Sequence, residues 1–273
     1  MSDPRPIGLF DSGVGGLTVL EAVARRMPFE DLLYLGDTAR LPYGTKSPDT
    51  VRRYAQRAVG FLLSQGVKAV VVACNTASAL ALDAIEEMSP VPVVGVVAPG
   101  AEAAVLAARS TDLEGDRGPI AVLATEATVA SDAYGRAIRA LDPGRAVVHT
   151  ACPLFVPLAE EGWTGNEVAH AAAERYLSGV ARSGARVVVL GCTHYPLLAG
   201  TIARALPQGT ILVDSAEAAA RAVEASLPPA SRRADASHGA TRLLVTDASD
   251  RLRRVAGRFL GRPAADLTLV DLP

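Results

Sequence analysis

Two cysteines in matching surroundings are the residues of this sequence best suited to chemistry. Cys74 and Cys192 each follow an apolar run and precede a pair of hydrogen-bonding residues, Asn75-Thr76 and Thr193-His194. Each run is typical of a buried strand that ends just before a helix. A thiol at a helix N-terminus has a pKa below its ordinary value of about 8.5. The pattern therefore predicts two reactive thiols, with N–H groups nearby that suit a small anion such as a carboxylate.

Four kinds of cysteine chemistry can be compared for this pair, and they agree with the sequence to different degrees. A disulfide oxidoreductase usually carries a C-x-x-C motif, which is absent here. A cysteine hydrolase needs one thiol and a histidine base. Zinc needs three or four ligands, for which Cys192, His194 and the distant Cys152 are a weak set. Two like thiols across a cleft suit two-base proton transfer, which inverts a stereocentre. It needs no cofactor, provided that positioning and stabilisation of the developing charge assist it.

Carboxylates and an imidazole near these motifs are candidate assistants. Asp11 ends the first apolar run, and His194 lies two residues after Cys192. Glu160 and Glu161 follow a proline-bounded apolar stretch. Each group can tune a thiol or pair with an ammonium group. The alternatives are ordinary ones: Asp11 as a helix cap, at least one glutamate as a solvated helix residue, and His194 as a structural residue.

The glycine-rich segment at residues 11–16 does not have the pattern of a nucleotide-binding loop. Its glycines fall at positions 13, 15 and 16, which is not the G-x-G-x-x-G spacing, and no Gly-Lys-Ser/Thr follows. Asp11 would also repel a phosphate group. We expect a flexible turn that approaches a small ligand closely.

The elements that must position these residues alternate between strands and helices. Apolar runs without polar alternation suit parallel strands covered by helices on both faces. They predict strands at residues 7–10, 32–35, 67–73, 93–97, 120–124, 147–150, 187–190, 211–213 and 242–245. Helical patterns reach to about residue 26 and cover residues 77–88 and 250–260. The sequence therefore predicts an α/β fold with doubly wound, parallel sheets, in which ligands bind outside the carboxyl ends of strands.

The two cysteine segments suggest an internal duplication. Residues 69–82 and 186–199 share a layout of strand, small residue, cysteine, polar residues and apolar helix start. Residues 9–19 have a looser counterpart at residues 121–131, at a similar offset. Two like halves facing each other would bring two equivalent turns together across one cleft. Chance similarity between buried strands is the alternative.

Composition excludes several classes of protein. The 273 residues carry 27 basic and 29 acidic side chains, a net charge of −2, which gives no electrostatic case for nucleic acid or an anionic membrane. Neither a membrane-spanning run nor a signal peptide is recognisable. Three widely spaced cysteines are a poor disulfide framework. We expect a cytoplasmic protein whose cysteines are thiols.

Several motifs of the sequence resemble those of a known family. The segments IGLFDSGVGGLTVL (7–20), YLGDTARLPYG (34–44), ACNTAS (73–78), PVVGVVAPGA (92–101), CPLFVPLAEEG (152–162), LGCTHYPLL (190–198) and VDSA (213–216) are similar to those of the glutamate racemases, in the aspartate/glutamate racemase superfamily. The resemblance implies racemisation of L- and D-glutamate without a cofactor or metal, to supply D-glutamate for peptidoglycan. It also implies a cytoplasmic homodimer that binds glutamate. The alternative is another superfamily enzyme with the same cysteine pair, such as an aspartate or hydantoin racemase or a maleate isomerase.

The resemblance also implies roles for particular residues. Cys74 and Cys192 would be the two catalytic acid/base groups, with Asp11 assisting Cys74, and with Glu160 and His194 assisting Cys192. The substrate's carboxylates and ammonium would be held by Asp11, Ser12, Tyr43, Gly44, Asn75, Thr76, Thr193 and His194. Thr125 and Thr128 are further candidates, although their loop departs from the family's G-T-x-G-T pattern by carrying Ala124, Glu126 and Ala127.

The family fold consists of two flavodoxin-like domains, pseudo-symmetric, with the active site in the cleft between them. By resemblance we expect residues 1–97 plus 210–273 to form the first domain, with Asp11 and Cys74. Residues 98–209 would form the second, with Glu160, Cys192 and His194.

Overall fold

The computed structural model describes residues 2–112, 117–233, 238–264 and 266–272. Within these residues the strands are β1 (Ile7–Asp11), β2 (Leu32–Gly36), β3 (Ala69–Val72), β4 (Val93–Gly95), β5 (Ile120–Ala124), β6 (Val147–Ala151), β7 (Val187–Gly191), β8 (Ile211–Asp214), β9 (Thr241–Val245) and β10 (Leu267–Leu269). The helices are α1 (Leu17–Arg26), α2 (Pro48–Ser64), α3 (Asn75–Leu80), α4 (Leu82–Met88), α5 (Val97–Thr111), α6 (Glu126–Ala130), α7 (Ala133–Leu141), α8 (Phe155–Glu161), α9 (Glu167–Arg182), α10 (Ala199–Arg204), α11 (Ser215–Ser226) and α12 (Asp250–Leu260).

The strands form two parallel sheets with the same internal order. The first runs β10-β9-β2-β1-β3-β4 and the second runs β6-β5-β7-β8. In both, the opening strand of the half lies between its second and third strands, as in a doubly wound sheet. The predicted α/β architecture is therefore confirmed, as is the likeness between the two halves.

Each sheet is buried on both faces, which explains the unbroken apolar runs. In the first sheet, Leu9 packs with α1, α11 and α12, while its neighbour Phe10 points to the opposite face and packs with α2 and α3. In the second sheet, Leu123 faces α8 and α9, while Val122 faces α5 and α7. Helices therefore cover all four faces, and the loops at the carboxyl ends of the strands are left to build a site.

Some expectations differ from the structure. The predicted strand at residues 211–213 belongs to the second sheet, because β8 pairs in parallel with β7. By sheet membership the chain thus returns to the first half after Asp214, not at residue 210. The predicted helix over residues 77–88 is broken at Ala81, which separates α3 from α4. β10, a short edge strand beside β9, was not predicted. The domain boundary at residue 98 stays a prediction, since α5 contacts both α11 and β7.

Among the described residues, no helix has the length and apolar character needed to cross a membrane.

Candidate functional site

A small cavity lies where the carboxyl ends of the two sheets meet. Asp11 ends β1 and Cys74 follows β3, so both lie where the first sheet changes winding direction, the position at which such sheets bind ligands. Thr125 and Cys192 occupy the matching positions after β5 and β7. The cavity has a volume of about 40 Å³ and is lined by both cysteines. Of the residues predicted for the site, all line it except Asp11 and Thr128.

Cys74 is the N-cap residue of α3. Its Sγ accepts a hydrogen bond from the Ala77 N–H at 3.4 Å and lies 3.4 Å from the Ser12 hydroxyl. Burial raises the pKa of the Cys74 thiol to about 12, and the negative charge of Asp11 adds to the rise, although the Ser12 and Ala77 hydrogen bonds oppose it. The expectation of a lowered pKa at this helix start is therefore wrong for Cys74. Loss of solvation in a nearly closed site outweighs the favourable helix terminus.

Asp11 lies beside Cys74 with its carboxyl group fully enclosed. Its Oδ2 accepts a hydrogen bond from the Gly13 N–H at 2.9 Å, whereas Oδ1 has no partner among the residues that the structure describes. Asp11 does not cap α1, because the cap position is Gly16 and no side chain bonds there. Burial raises the pKa of Asp11, and the charge of His194 opposes this rise. An enclosed carboxyl oxygen without a donor is suited to receive one from a ligand.

Cys192 has an imidazole as its neighbour. Its Sγ lies 3.9 Å from His194 Nδ1, and His194 Nε2 lies 3.3 Å from Glu160 Oε1. Burial lowers the pKa of His194, but hydrogen bonds and charge interactions with Cys192 and Glu160 outweigh it and raise the pKa to about 10. For Glu160, burial opposes ionisation, yet the His194 bond and the charge of Arg251 lower its pKa. At neutral pH this side of the cavity therefore holds an imidazolium between a carboxylate and a sulfur.

Asn75 and a cluster of threonines form the wall between the two cysteines. The Tyr134 hydroxyl donates to Asn75 Oδ1 at 2.7 Å, which leaves Asn75 Nδ2 buried and without an acceptor among the described residues. The hydroxyls of Thr76, Thr125 and Thr128 lie within 3.0–3.2 Å of one another. This wall offers hydrogen-bond donors of the kind that bind a carboxylate.

The departure in the loop after β5 does not disturb this wall. Thr125 caps α6 by accepting a hydrogen bond from the Thr128 N–H at 3.4 Å, so the alanines at 124 and 127 fit regular backbone. Glu126 is exposed and does not line the cavity.

A second wall comes from the segment after β2. The Tyr43 hydroxyl donates to the fully buried Asp37 carboxylate at 2.7 Å, so Tyr43 offers the cavity its backbone and ring but not its hydroxyl. Asp37 also accepts from Arg40 at 2.8 Å and from Thr246 at 2.9 Å. These bonds fix the segment that presents Tyr43 and Gly44 to the cavity.

The halves touch closely at two glycines. A Cβ on Gly15 would lie 2.3 Å from Thr193 Oγ1 and 2.7 Å from His194 Nδ1, and one on Gly44 would lie 2.7 Å from the Thr125 Cβ. Only glycine permits this approach. In the sequence Gly15 stands out only as part of a flexible turn, and no local pattern relates it to His194.

Other contributors were also missed by sequence reasoning. Asp37 and Tyr134 make hydrogen bonds to Thr246 and Asn75, which are distant in sequence. Phe259 of α12 packs edge-on against the His194 ring, with centroids 5.0 Å apart. In the sequence these three residues lie within ordinary apolar or polar segments, which give no indication of a role at the site.

Cys152, the third cysteine, belongs to a different environment. It is fully buried in the core between the second sheet and α8 and α9, and it does not line the cavity. Burial raises the pKa of its thiol to about 12. Within the described part of the chain, no cluster of three or more histidine, cysteine, aspartate or glutamate side chains is arranged to hold a metal ion.

Comparison with known proteins agrees with this geometry. Residues 12–223 match the Asp/Glu/Hydantoin racemase family. A glutamate racemase of Geobacter metallireducens is 49% identical over 269 residues, which cover 98% of this chain and 97% of the relative. The structure of Francisella tularensis glutamate racemase in complex with D-glutamate matches with a TM-score of 0.90 at 35% identity, covering 99% of this chain and 98% of the other. Escherichia coli glutamate racemase, solved with L-glutamate and the activator UDP-MurNAc-Ala, matches with a TM-score of 0.76 at 31% identity, covering 99% and 100%.

Two parallel sheets that bring a pair of cysteines to one cavity define a racemase-type isomerase, and this chain belongs to the Asp/Glu/Hydantoin racemase family. Within that family, the curated relatives at 41–49% identity are glutamate racemases. The resemblance of the sequence motifs to glutamate racemases is thereby confirmed.

Proposed function

We propose that this enzyme interconverts L- and D-glutamate by two-base proton transfer between Cys74 and Cys192, without a cofactor. The observation that carries the proposal is the presence of both cysteines on one enclosed cavity, each contributed by a different sheet. Similar enzymes solved with D-glutamate and with L-glutamate support the choice of substrate. The structures of an aspartate racemase and of an aspartate racemase homologue are each only 19% identical to this chain, so the alternative of an aspartate racemase has less support.

The proton balance of the reaction is simple. One cysteine, as thiolate, takes the Cα proton of glutamate and becomes a thiol, leaving a planar carbanion. The other cysteine, as thiol, gives its proton to the opposite face and becomes a thiolate. The product is the mirror image of the substrate, and the two sulfurs have exchanged protonation states. The reverse reaction uses the same steps in the opposite order.

The surroundings of the two sulfurs differ before substrate binds. The imidazolium of His194 lies beside Cys192. Burial and the charge of Asp11 raise the pKa of Cys74, so Cys74 is a thiol in the resting enzyme. The ammonium group of bound glutamate would then offset the charge of Asp11 and make ionisation of Cys74 easier.

Substrate binding follows from the polar groups in and beside the walls. Asn75 Nδ2, which has no acceptor among the described residues, and the hydroxyls of Thr76 and Thr125 would donate to a carboxylate. Asp11, which lies beside the cavity with Oδ1 unpartnered among the described residues, would accept from the ammonium group. The backbone of Ser12, Gly44 and Thr193, all at the cavity, adds further polar groups. A cavity of about 40 Å³ is far smaller than the usual small-molecule pocket. We therefore infer that the two halves separate to admit glutamate and close again around it.

The biological setting is inferred from the resemblance of the motifs alone. We propose that D-glutamate formed here is used for peptidoglycan, that the enzyme works in the cytoplasm, and that it forms a homodimer.

The test is incubation of the purified protein with each pure enantiomer of glutamate in D2O. Circular dichroism would follow inversion, and proton NMR would follow loss of the Cα–H signal. We expect the ellipticity to decay to zero from either pure enantiomer. Deuterium should enter first in the inverted product, because the thiol on the opposite face carries a deuteron from the solvent. Aspartate, run in parallel, should react far more slowly. Racemisation of aspartate but not of glutamate would overturn the proposal of substrate.

A further inference from the structure

Helix α12 of the first half reaches across to the second half beside the site. Its buried face packs with α1 and the first sheet, whereas Arg258 extends to α8. The Arg258 guanidinium donates to the backbone carbonyl of Glu160. A helix leaves its last four carbonyls without intrahelical donors, and basic side chains commonly cap them. Arg258 thus caps the end of the helix that carries Glu160.

The chain after Glu160 is shaped to accept this cap. Gly162 follows α8 with a φ of 75°, in the left-handed region that favours glycine. A Cβ at that position would lie 3.0 Å from Arg258 Nε, so a larger residue would press against the guanidinium. Both the conformation and the clearance at Gly162 fit the position of Arg258.

The same helix also touches the imidazole. The ring of Phe259 meets that of His194 at an interplanar angle of 82° and a centroid distance of 5.0 Å. Such edge-to-face pairs stabilise a contact beyond the effect of the area they bury. Adjacent residues of α12 therefore contact Glu160 and His194, the two members of the pair beside Cys192.

A third contact is weaker. Arg251 Nη2 lies 3.7 Å from Glu160 Oε2 and 2.7 Å from Glu161 Oε1. The Arg251 side chain is 60% exposed, and ion pairs at such positions stabilise a structure only weakly. The orientation of Glu160 and His194 therefore depends mainly on the Arg258 cap and the Phe259 ring.

We propose that Arg258 and Phe259 are positioning residues for the acid–base group of Cys192, and that they act only when the two halves are closed. The inference rests on the proposed function, because it assigns Cys192 a proton-transfer step. Since α12 belongs to the first half and α8 to the second, separating the halves to admit glutamate withdraws both contacts. Closure restores them, and the Glu160–His194 pair is then aligned with Cys192. Cys74 does not depend on α12 in this way, because Ser12, Asp11 and Ala77, which surround it, all belong to the first half.

The test compares Arg258→Ala with Arg254→Ala. Arg254 lies one turn earlier on α12, is exposed, and makes no hydrogen bond or ion pair with any described residue, so it controls for loss of a positive charge. We expect Arg258→Ala to lower kcat about 10-fold or more, since small displacements of a catalytic group are costly. Arg258→Lys, which keeps a donor, should recover part of the loss. Arg254→Ala should stay within about twofold of the wild type.

Isotope effects separate positioning from a general structural defect. The two enantiomers have equal free energy, so kcat/KM must be equal in both directions for every variant. Substrates deuterated at Cα report which transfer limits the rate. If transfer at Cys192 is slowed in Arg258→Ala, the isotope effect rises for the enantiomer that Cys192 deprotonates and falls for the other. A defect that only reduces the amount of folded enzyme leaves both isotope effects unchanged.

The possible results distinguish failure of this inference from failure of the proposed function. An Arg258→Ala enzyme that matches Arg254→Ala in kcat, or one with lower kcat and unaltered isotope effects, overturns the inference but leaves the proposed function intact. A wild-type protein that does not racemise glutamate would overturn both the inference and the proposed function. If Arg258→Ala does not fold, as judged by its thermal unfolding, Phe259→Leu carries the same test. It removes the ring contact with His194 while keeping an apolar side chain on the buried face of α12.

Discussion

The Cys74 side and the Cys192 side of the cavity have the same topology and opposite electrostatics. Each cysteine follows the strand that lies beside the opening strand of its sheet. Cys74 lies beside a buried carboxyl group, Asp11, and its pKa is raised to about 12. Cys192 lies beside His194, whose own pKa is raised to about 10. The matching topology of the two sheets thus supplies two equivalent positions, and the neighbouring side chains place a buried carboxyl group at one and an imidazolium at the other.

This difference is useful for a reaction that passes a proton between two sulfurs. At any moment one sulfur must hold a proton and the other must not. Two identical surroundings would leave the choice to chance, with both sulfurs protonated in part of the molecules. At Cys74 the surroundings favour the protonated sulfur, and the substrate's ammonium group near Asp11 would make its ionisation easier.

Replacement of either cysteine has the largest expected effect. Cys74→Ser and Cys192→Ser should each lower racemisation by about 10³-fold or more, because a serine hydroxyl is a far weaker acid than a thiol. Proton NMR in D2O adds a comparison of the two sides. Cys74→Ser, which keeps the cysteine beside His194, should exchange the Cα proton of one enantiomer without inversion faster than Cys192→Ser does. Equal residual exchange of the Cα proton in both variants would contradict the inferred electrostatic difference between the two sides of the cavity.

Gly15→Ala tests the contact between the halves. The new Cβ would overlap Thr193 Oγ1 and His194 Nδ1, so closure should displace the imidazole. We expect kcat to fall by roughly 10²-fold and the free energy of unfolding by about 1–3 kcal/mol. Gly179→Ala in α9 is the matched control, since a Cβ there meets no atom within 4 Å among the described residues. Full activity of Gly15→Ala would mean that the halves need not approach as closely as this.

Glu160→Gln tests the cause of the raised His194 pKa. An imidazolium exists only below its pKa, so activity that depends on it is lost as pH rises through about 10. Without the Glu160 charge, the pKa of His194 should fall toward 6.5, and the alkaline limb of the kcat/KM profile should move to lower pH. Glu161→Gln, at the exposed neighbouring position, should leave the profile in place. A profile for Glu160→Gln that coincides with the wild type would show that Cys192 alone sustains the imidazolium.

Glu126→Gln should have the smallest effect. The side chain is exposed and lies outside the cavity, although its neighbours Thr125 and Thr128 belong to the threonine cluster. We expect kcat and KM to stay within about twofold of the wild type, since surface substitutions of this kind are nearly neutral. A large change in KM would instead indicate that the charge of Glu126 acts on substrate entry.

The prediction of the fold from sequence succeeded where burial on both faces leaves a local signal. Unbroken apolar runs predicted β1 and β7, and the pattern over residues 250–260 predicted α12 with its observed bounds. The prediction failed where the pairing of strands decides the structure. The apolar run at residues 211–213 would look the same in either sheet. β10 is a short edge strand with one buried residue, so its apolar pattern is weak. Sequence patterns record which residues are apolar, but not which strand lies beside them.

Sequence by itself determined the chemical groups of the site and their order along the chain. Two cysteines at strand ends, the carboxylates and His194 were visible as residue types in turns, because strand, turn and helix leave periodic patterns. Tertiary structure alone decided the state of those groups. It buried Cys74 so that its pKa rises, set Gly15 against His194, and brought Phe259 from the far end of the chain to the imidazole. Solvation and charge interactions depend on distances between side chains in space, which a single sequence does not give.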